Sequence, residues 1–367
     1  MLTYRQPMSV IAAVGSAVPD HRYPQSEITE ALAATVLGPA HQDRLPVMRR
    51  LHASAQVATR HLALPLERYA DLGGFSGSND LFIQVGLDLA ERAIRDALDR
   101  AGLAPEDVDL IMSVSVTGVA APSLDARLVA RLGLRPDVKR VPVFGLGCVA
   151  GAAGVARVHD YLLGHPGEVA VLVSVELCSL TLQADDTSMA NLVASGLFGD
   201  GAAAVVMTGP DRALAAPAPD GSTRPRVVDT RSRMYPGTDR VMGWDIGSTG
   251  FKIVLDASVP DVVETYLRED VEKFLADHGL TVADIGTWVA HPGGPKVLQA
   301  VQRSLGLAED ALSLTWDSLS AVGNLSSASV LQVLQTTLRE RRPAPGSAGL
   351  LLAMGPGFCA ELVLLTW

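Results

Sequence analysis

The stretch VPVFGLGCVAGAAGVARVHDYLL, residues Val141–Leu163, decides the fold because it joins a strand to a helix rich in small residues. Its first four residues are apolar and predict a strand, after which a glycine-rich turn leads to Cys148. From about Val149 to Leu163 the pattern predicts a helix, in which Gly and Ala at 150–154 permit close packing against neighbouring elements. We therefore expect a buried helix near the centre of the molecule.

Cys148 occupies the turn between that strand and that helix. A thiol in this position faces the positive end of the helix dipole, which favours the thiolate, the form that attacks carbonyl carbon. The alternative is an inert buried thiol, because free cysteines are among the most buried residues in proteins. Cys148 is therefore a candidate nucleophile, and the rest of the chain has to decide between the two interpretations.

Size and composition limit the possible classes of protein. A chain of 367 residues forms one large domain or two ordinary ones, and a hydrophobic content of 48% supplies a sizeable core. The net charge of −10 argues against a nucleic-acid-binding surface. Three cysteines argue against a disulfide scaffold and for a reducing compartment. The sequence shows no signal-peptide pattern and no apolar run long enough to span a membrane, so we expect a cytoplasmic protein.

Apolar periodicity predicts strands that alternate with helices along the chain. The predicted strands are Ser9–Val14, Val108–Val116, Val141–Phe144, Glu168–Val175, Gly199–Thr208, Thr287–Ala290, Gly349–Met354 and Ala360–Thr366, with further extended segments at Val227–Arg233 and Met242–Leu255. Besides the helix after Cys148, the predicted helices are Ser26–Val36, Pro46–Ala55, Asn79–Ala101, Ser123–Leu132, Asp261–His278, Lys296–Leu305 and Leu325–Glu340. Continuous apolar strands alternating with helices indicate an α/β protein, with a parallel or mixed sheet covered on both faces.

The chain divides into two halves that weakly resemble each other. Asp, Pro, Gly and Ser cluster over Gly209–Arg226, which predicts a boundary between residues 1–215 and 216–367. In the first half Cys148 precedes a small-residue helix, and in the second half Gly323 and Asn324 precede another, LSSASVLQVLQ. Packing two such halves face to face would bring the starts of these helices together.

Three polar residues stand at glycine-rich turns: Cys148, His291 in AHPGGPK, and Asn324 in VGNLSS. Together they supply a nucleophile, a base that activates it, and an amide donor for a developing oxyanion. Each also has a simpler explanation, because a histidine can end a strand and an asparagine is a common helix N-cap. Only their combination indicates catalysis.

Several motifs, in order along the chain, resemble the type III polyketide synthases, the chalcone-synthase-like members of the thiolase superfamily. They are GLGCVAGAAG around Cys148, GLFGDGAAA around Phe198, AHPGGPKVL around His291, VGNLSSASV around Asn324, and MGPGF at 354–358. The resemblance covers nearly the whole chain. It implies the thiolase fold, which has five alternating layers (αβαβα) built from two similar halves, and it implies a homodimer.

The same resemblance implies how the residues act. Cys148, paired with the imidazolium of His291, accepts an acyl group from its CoA thioester, and His291 and Asn324 promote decarboxylation of malonyl-CoA and condensation. Phe198 and Phe251 match the aromatic gate between the coenzyme A tunnel and the reaction cavity, although both could simply pack in the core. The implied substrates are acyl-CoA and malonyl-CoA, with no metal or redox cofactor. Cys178 and Cys359 lack metal-ligand spacing with any histidine.

The coenzyme A site is implied less completely. Arg50 matches a basic residue that grips the CoA phosphates, and Arg49 lies beside it. Gly293 and Gly294, which follow the histidine motif, are also assigned to CoA binding through the resemblance. Ser54 stands where a further basic residue of the family would lie, which weakens this grip.

Departures from the plant pattern predict the acyl starter. Ala121 matches a bulky methionine that the partner subunit contributes in plant enzymes, and Met354 replaces a phenylalanine. Val116, Thr181 and Cys178 match positions that line the family's cavity. Small and flexible side chains at these positions favour a long fatty acyl starter, as in the actinobacterial alkylpyrone and alkylresorcinol synthases that this chain resembles. A short or malonyl starter is the alternative within the family.

Other classes of protein remain as alternatives. A ketoacyl synthase III-like enzyme that uses acyl carrier protein typically has His-Gln-Ala-Asn, whereas this chain has His-Pro-Gly-Gly at 291–294. A papain-like protease also orders its residues Cys, His, Asn, but its cysteine lies in a different local sequence. An inactive binding member of the superfamily is disfavoured because Cys148, His291 and Asn324 are all present.

Overall fold

The computed structural model describes residues 7–184, 186–214 and 223–367. Within these ranges the strands are β1 (Val10–Ala17), β2 (His21–Pro24), β3 (Thr59–Leu62), β4 (Leu110–Ser115), β5 (Lys139–Phe144), β6 (Val169–Leu177), β7 (Asp200–Thr208), β8 (Arg226–Met234), β9 (Met242–Gly247), β10 (Gly250–Leu255), β11 (Ile285–Ala290), β12 (Ala348–Gly355) and β13 (Cys359–Thr366). The α-helices are α1 (Gln25–Leu37), α2 (Leu45–Ser54), α3 (Gly74–Ala101), α4 (Leu124–Leu132), α5 (Ala150–Gly164), α6 (Met189–Leu197), α7 (Val259–Ala276), α8 (Pro295–Leu305), α9 (Ser313–Val322) and α10 (Ser327–Glu340).

Nine strands form one mixed sheet in the order β11-β12-β13-β8-β1-β7-β6-β4-β5. The two halves of the chain meet within this sheet, where Val10 of β1 pairs with Arg226 of β8. Strands of the first half lie on one side of this junction and strands of the second half on the other. The predicted boundary at 215/216 lies outside the described residues. Two hairpins, β2–β3 and β9–β10, stand apart from the large sheet.

Alternating side chains on the buried strands separate three hydrophobic cores. On β7, Ala202 contacts the core shared with α1 and α3, whereas Ala203 contacts the core around α5 and α10. On β12, Leu350 contacts the core shared with α7 and α8, whereas Leu351 again faces α5 and α10. Each half-sheet is therefore covered on both faces, which explains its continuous apolar strands. The five-layered thiolase fold predicted from the sequence is confirmed.

The central layer consists of α5 and α10, which pack very closely together. A Cβ atom at Gly151 would lie only 2.3 Å from the carbonyl oxygen of Ser327, so glycine is required there. This contact joins the starts of the two helices and brings the turn at Cys148 next to the turn at Ser326. The faint internal repeat in the sequence therefore predicted the correct juxtaposition.

The structure differs from the predicted elements at several places. The helix expected from Leu325 begins at Ser327, because Asn324 pairs with Phe198 in an isolated parallel bridge and keeps the chain extended. The short helices α6 and α9 and the hairpin β2–β3 were not predicted. Their segments are short and mix apolar with polar residues, so periodicity alone gives them little signal.

Replacing Gly151 by alanine should force α5 and α10 apart. We expect Gly151→Ala to lower the free energy of unfolding by about 1–3 kcal/mol, the usual cost of overpacking, and to reduce synthase activity by separating the two turns. Gly164→Ala is the matched control, because a Cβ at this exposed end of α5 would meet no atom within 4 Å. Chemical denaturation and product formation measure both effects. Equal stability and activity in the two variants would show that the close contact does not organise the site.

Candidate active site

Cys148 lies in a 3₁₀ turn, Gly147–Val149, directly before α5. Gly147 has a φ of 59°, and a Cβ there would lie 2.6 Å from the ring of Pro356, so the turn requires glycine. The Cys148 side chain is 6% exposed, and its Sγ atom lies 3.6 Å from Oγ of Ser326. The glycine turn thus directs the thiol toward the start of α10.

Asn324 is held by both its backbone and its side chain. Its backbone N–H donates to the Leu197 carbonyl, its own carbonyl accepts from the Gly199 N–H, and both distances are 2.9 Å. Its Oδ1 accepts a hydrogen bond of 2.8 Å from the backbone N–H of Ser326. This bond fixes the side-chain amide so that its NH₂ group remains able to donate, as an oxyanion donor must.

Ser326 connects these two residues, and the sequence did not single it out. It has a φ of 48°, a left-handed conformation that costs a residue other than glycine on the order of 1–3 kcal/mol. Its backbone N–H orients Asn324 and its hydroxyl faces Cys148. Backbone strain is therefore concentrated between two of the predicted catalytic residues.

His291 follows β11 directly, and its backbone N–H donates to the Leu352 carbonyl at 2.9 Å. Its side chain is buried, and neither Nδ1 nor Nε2 has a hydrogen-bond partner among the described residues. Among the described residues, no hydrogen bond therefore joins the His291 imidazole to Cys148. An unpaired buried imidazole is costly to folding, so its retention indicates a group used by a ligand or a reaction.

Burial controls the ionisation of both groups. Burial, with a smaller contribution from the nearby Glu176 carboxylate, raises the pKa of the Cys148 thiol to about 12, although the hydrogen bond to Ser326 opposes the change. Burial also lowers the pKa of His291 to about 4. Burial therefore opposes the thiolate that the helix start favours. Proton transfer from Cys148 to His291 would leave the net charge of the site unchanged.

Cys148 lines a cavity whose wall also includes four of the predicted substrate-binding residues. They are Phe198, Val116, Cys178 and Thr181. Much of the remaining wall is apolar and includes Leu32, Leu182, Met242, Trp244, Ile253 and Leu255. The cavity therefore suits an acyl chain attached to Cys148.

Two other predicted substrate-binding residues do not line this cavity. Phe251 is buried in a cluster of rings, with centroids 5.3 Å from Phe75 and 6.0 Å from Trp244, and only Trp244 reaches the cavity. Ala121 is exposed on the single chain. Its predicted role depends on the partner subunit, as in the plant pattern from which it was inferred.

Glu176 is a buried carboxyl group that sequence reasoning missed. It accepts hydrogen bonds from the Val116 N–H at 3.1 Å and the Thr117 hydroxyl at 2.9 Å, and a further bond from the Ser327 hydroxyl. Burial raises its pKa to about 7. Because it is the eighth of nine buried residues in β6, its position inside the protein could have been predicted from the apolar run before it.

The predicted coenzyme A residues differ in their availability. Arg49 forms a two-pronged ion pair with Glu30 at 2.7 and 2.6 Å. Arg50 is exposed and makes no hydrogen bond or ion pair with the described residues. Gly293 and Gly294 lie in the loop between His291 and α8. Of the two arginines, Arg50 is therefore the one free to bind a phosphate.

Among residues 7–184, 186–214 and 223–367, no helix is long and apolar enough to cross a membrane. The same ranges contain no group of three or more His, Cys, Asp or Glu side chains placed to hold a metal ion.

Comparison with known proteins identifies the family. Residues 3–211 match the N-terminal domain, and residues 226–366 the C-terminal domain, of the chalcone and stilbene synthases. A 1,3,6,8-tetrahydroxynaphthalene synthase of Streptomyces peucetius is 59% identical over 357 residues, covering 97% of this chain and 93% of the relative. A putative chalcone synthase of Bacillus subtilis is 34% identical, covering 98% and 99%.

A solved structure agrees with both sequence comparisons. The crystal structure of 1,3,6,8-tetrahydroxynaphthalene synthase from Streptomyces coelicolor superimposes with a TM-score of 0.89 at 31% identity, and covers 98% of this chain and 99% of that one. Matches over both halves of the chain and over the whole fold lead to one conclusion. The chain belongs to the chalcone and stilbene synthase family and is a type III polyketide synthase.

Proposed function

We propose that this synthase uses malonyl-CoA as both starter and extender and forms an aromatic polyketide of the tetrahydroxynaphthalene type. The observation that carries the proposal is the 59% identity over 357 residues to a 1,3,6,8-tetrahydroxynaphthalene synthase. A naphthalene skeleton has ten carbon atoms, which correspond to five two-carbon units. Malonyl-derived units can supply all of them, so no other starter is required.

The proposed reaction begins with acyl transfer to Cys148. The thiol proton moves to His291, the sulfur attacks the thioester carbonyl of the starter, and coenzyme A leaves as the thiol. A second malonyl-CoA then loses CO₂, and its enolate oxygen accepts hydrogen bonds from the Asn324 amide and from His291. The enolate carbon attacks the thioester on Cys148, the Cys148 sulfur leaves, and the lengthened chain is now a thioester of coenzyme A. Transfer of this chain back to Cys148 releases coenzyme A as the thiol and begins the next cycle. This chemistry needs neither a metal nor a redox cofactor.

A long-chain acyl starter, the expectation drawn from the sequence, remains the second candidate. The apolar wall of the cavity favours it, because each buried methylene contributes up to about 0.8 kcal/mol. A fatty acyl starter would give an alkylpyrone or an alkylresorcinol. The two candidates differ in whether the starter carries a terminal carboxylate or a hydrocarbon chain.

We also propose that the protein is a homodimer. Strand β5 forms one edge of the large sheet, and the apolar residues Val141 and Phe144 on it are exposed to 36% and 45%. Val119 nearby is exposed to 43%. Open edge strands with apolar side chains are normally covered in soluble proteins, and a second copy of this chain would cover them.

Malonyl-CoA supplied alone should give an aromatic product if the malonyl-primed proposal is correct. The measurement compares kcat/KM for acetyl-, hexanoyl-, dodecanoyl- and stearoyl-CoA, each with radiolabelled malonyl-CoA, against malonyl-CoA alone and without carrier protein. Asn324→Ala is the control, because losing one oxyanion donor should cost about 100- to 1000-fold in rate. Preference for long chains, with no product from malonyl-CoA alone, would contradict the proposal and favour the second candidate.

The role of His291 can be tested by the reactivity of Cys148 toward iodoacetamide. Burial is the main reason that the pKa of Cys148 is raised to about 12, and a proton acceptor such as the His291 imidazole would favour the thiolate. We expect His291→Ala to move the pH profile of alkylation to higher pH, with about a tenfold slower reaction at neutral pH for each unit of pKa. Cys148→Ala corrects for labelling of other cysteines. Superimposable profiles for wild type and His291→Ala would exclude His291 as the proton acceptor.

A further inference from the structure

Arg60 is a buried cation that makes no ion pair with a described residue. It lies on β3 and is 2% exposed. Its Nε donates to Gln25 Oε1 at 2.9 Å, and its Nη1 donates to the Phe198 carbonyl at 2.7 Å. The remaining nitrogen, Nη2, is buried and has no hydrogen-bond partner in the described part of the chain. A buried guanidinium with an unused donor is costly unless another acceptor reaches it.

Asp200 is the nearby carboxylate, but it is already engaged elsewhere. It accepts hydrogen bonds from the backbone N–H groups of Ala63 at 2.6 Å and Ser179 at 2.8 Å, and from the Ser179 hydroxyl. Burial lowers the pKa of Arg60 to about 10, although the negative charge of Asp200 opposes this change. No hydrogen bond joins Asp200 to Arg60 among the described residues. Arg60 is therefore still charged at neutral pH, with Nη2 left unsatisfied.

The neighbouring polar side chains are also committed. The Thr29 hydroxyl donates to the Gln25 carbonyl at 2.8 Å, so it accepts from Nδ1 of His52 at 2.8 Å. Nε2 of His52 lies 3.1 Å from Oγ of Ser195, and the Ser195 hydroxyl donates to the Leu192 carbonyl at 3.1 Å. Burial and the charge of Arg60 lower the pKa of His52 to about 4, which keeps it neutral. None of these groups takes up the free donor of Arg60.

Arg60 lines the same cavity as Cys148. Phe198, whose carbonyl it holds, and Ser195 line that cavity as well. An acyl chain on Cys148 therefore extends into a space that contains one fixed cation within a largely apolar wall. An acyl group that ends in an anion could satisfy this cation, whereas a hydrocarbon chain would leave it unpaired.

We propose that Nη2 of Arg60 binds the free carboxylate of the starter acyl group carried on Cys148, and so selects a malonyl starter over uncharged ones. This inference rests on the malonyl-primed function proposed above. A charge-assisted hydrogen bond to a carboxylate completes the donors of the guanidinium and neutralises its charge. Arg60 is thus a specificity-determining residue for a reaction whose chemical steps belong to other side chains.

The test is a competition between two starters of the same shape. The two starters are malonyl-CoA and isovaleryl-CoA, in which two methyl groups stand in place of the two carboxylate oxygens. With both present, the ratio of malonyl-primed to isovaleryl-primed products reports the choice of starter, because extension steps and folding defects affect both products alike. The variants are Arg60→Met, which removes the charge at similar length, and Arg60→Lys, which retains it. Arg268→Met, at an exposed ion pair with Glu272, is the control.

We expect Arg60→Met to lower the product ratio by about 10- to 100-fold, the usual value of a hydrogen bond to a charged group. Arg60→Lys should give an intermediate ratio, and Arg268→Met should equal wild type. If Arg60→Met fails to fold, as judged by circular dichroism, a ratio in Arg60→Lys equal to that of wild type overturns the proposal. An unchanged ratio in a folded Arg60→Met also overturns the proposal. In that case Nη2 of Arg60 in the wild-type enzyme binds water and not the starter carboxylate.

The wild-type reaction separates this inference from the function on which it rests. If wild-type enzyme makes no product from malonyl-CoA alone, the malonyl-primed function fails, and the assignment of Arg60 fails with it. If wild type is malonyl-primed but the ratio is unchanged in the Arg60 variants, only the assignment of Arg60 fails.

Discussion

The site depends on the close approach of two buried helices. Gly151 of α5 lies against the backbone carbonyl of Ser327 at the start of α10, with no room for a Cβ atom. This packing fixes the turn that carries Cys148 relative to the turn that carries Asn324, although the two come from different halves of the chain. Gly147 and the strained Ser326 then set the directions of the thiol and the amide. The strained backbone of Ser326 lowers the stability of the fold but holds the reactive geometry, as is common at functional sites.

The second constraint is the removal of water from groups that prefer to be charged. Burial opposes the thiolate of Cys148 and the imidazolium of His291, and it leaves the guanidinium of Arg60 with an unused donor. In the reaction we propose, a partner relieves each cost: His291 accepts the thiol proton, the enolate oxygen accepts hydrogen bonds from His291 and Asn324, and an acyl carboxylate binds Arg60. Electrostatic interactions with substrate are strong in such a site because no solvent screens them.

Much of this arrangement could be predicted from the sequence, and the exceptions have physical causes. Cys148, His291 and Asn324 stand at glycine-rich turns next to apolar elements, and this pattern can be recognised in the sequence alone. The position of Arg60 could not be predicted, because a single arginine in the four-residue strand Thr59–Leu62 is normally interpreted as an exposed charge. The left-handed backbone conformation of Ser326 could not be predicted either, since serine has no preference for it. The effect of burial on the pKa of Cys148 could not be predicted from the sequence, because burial, unlike the helix dipole, depends on the whole fold.

The central claim is that the turn before α5 presents Cys148 as the acyl acceptor. The most direct measurement is peptide mapping by mass spectrometry after rapid acid quenching of the enzyme with its CoA substrates. The account predicts an acyl adduct on the peptide that contains Cys148, and no adduct in Cys148→Ala, whose fold should be nearly unchanged. An adduct that persists in this variant, or one found on Cys178, would contradict the account.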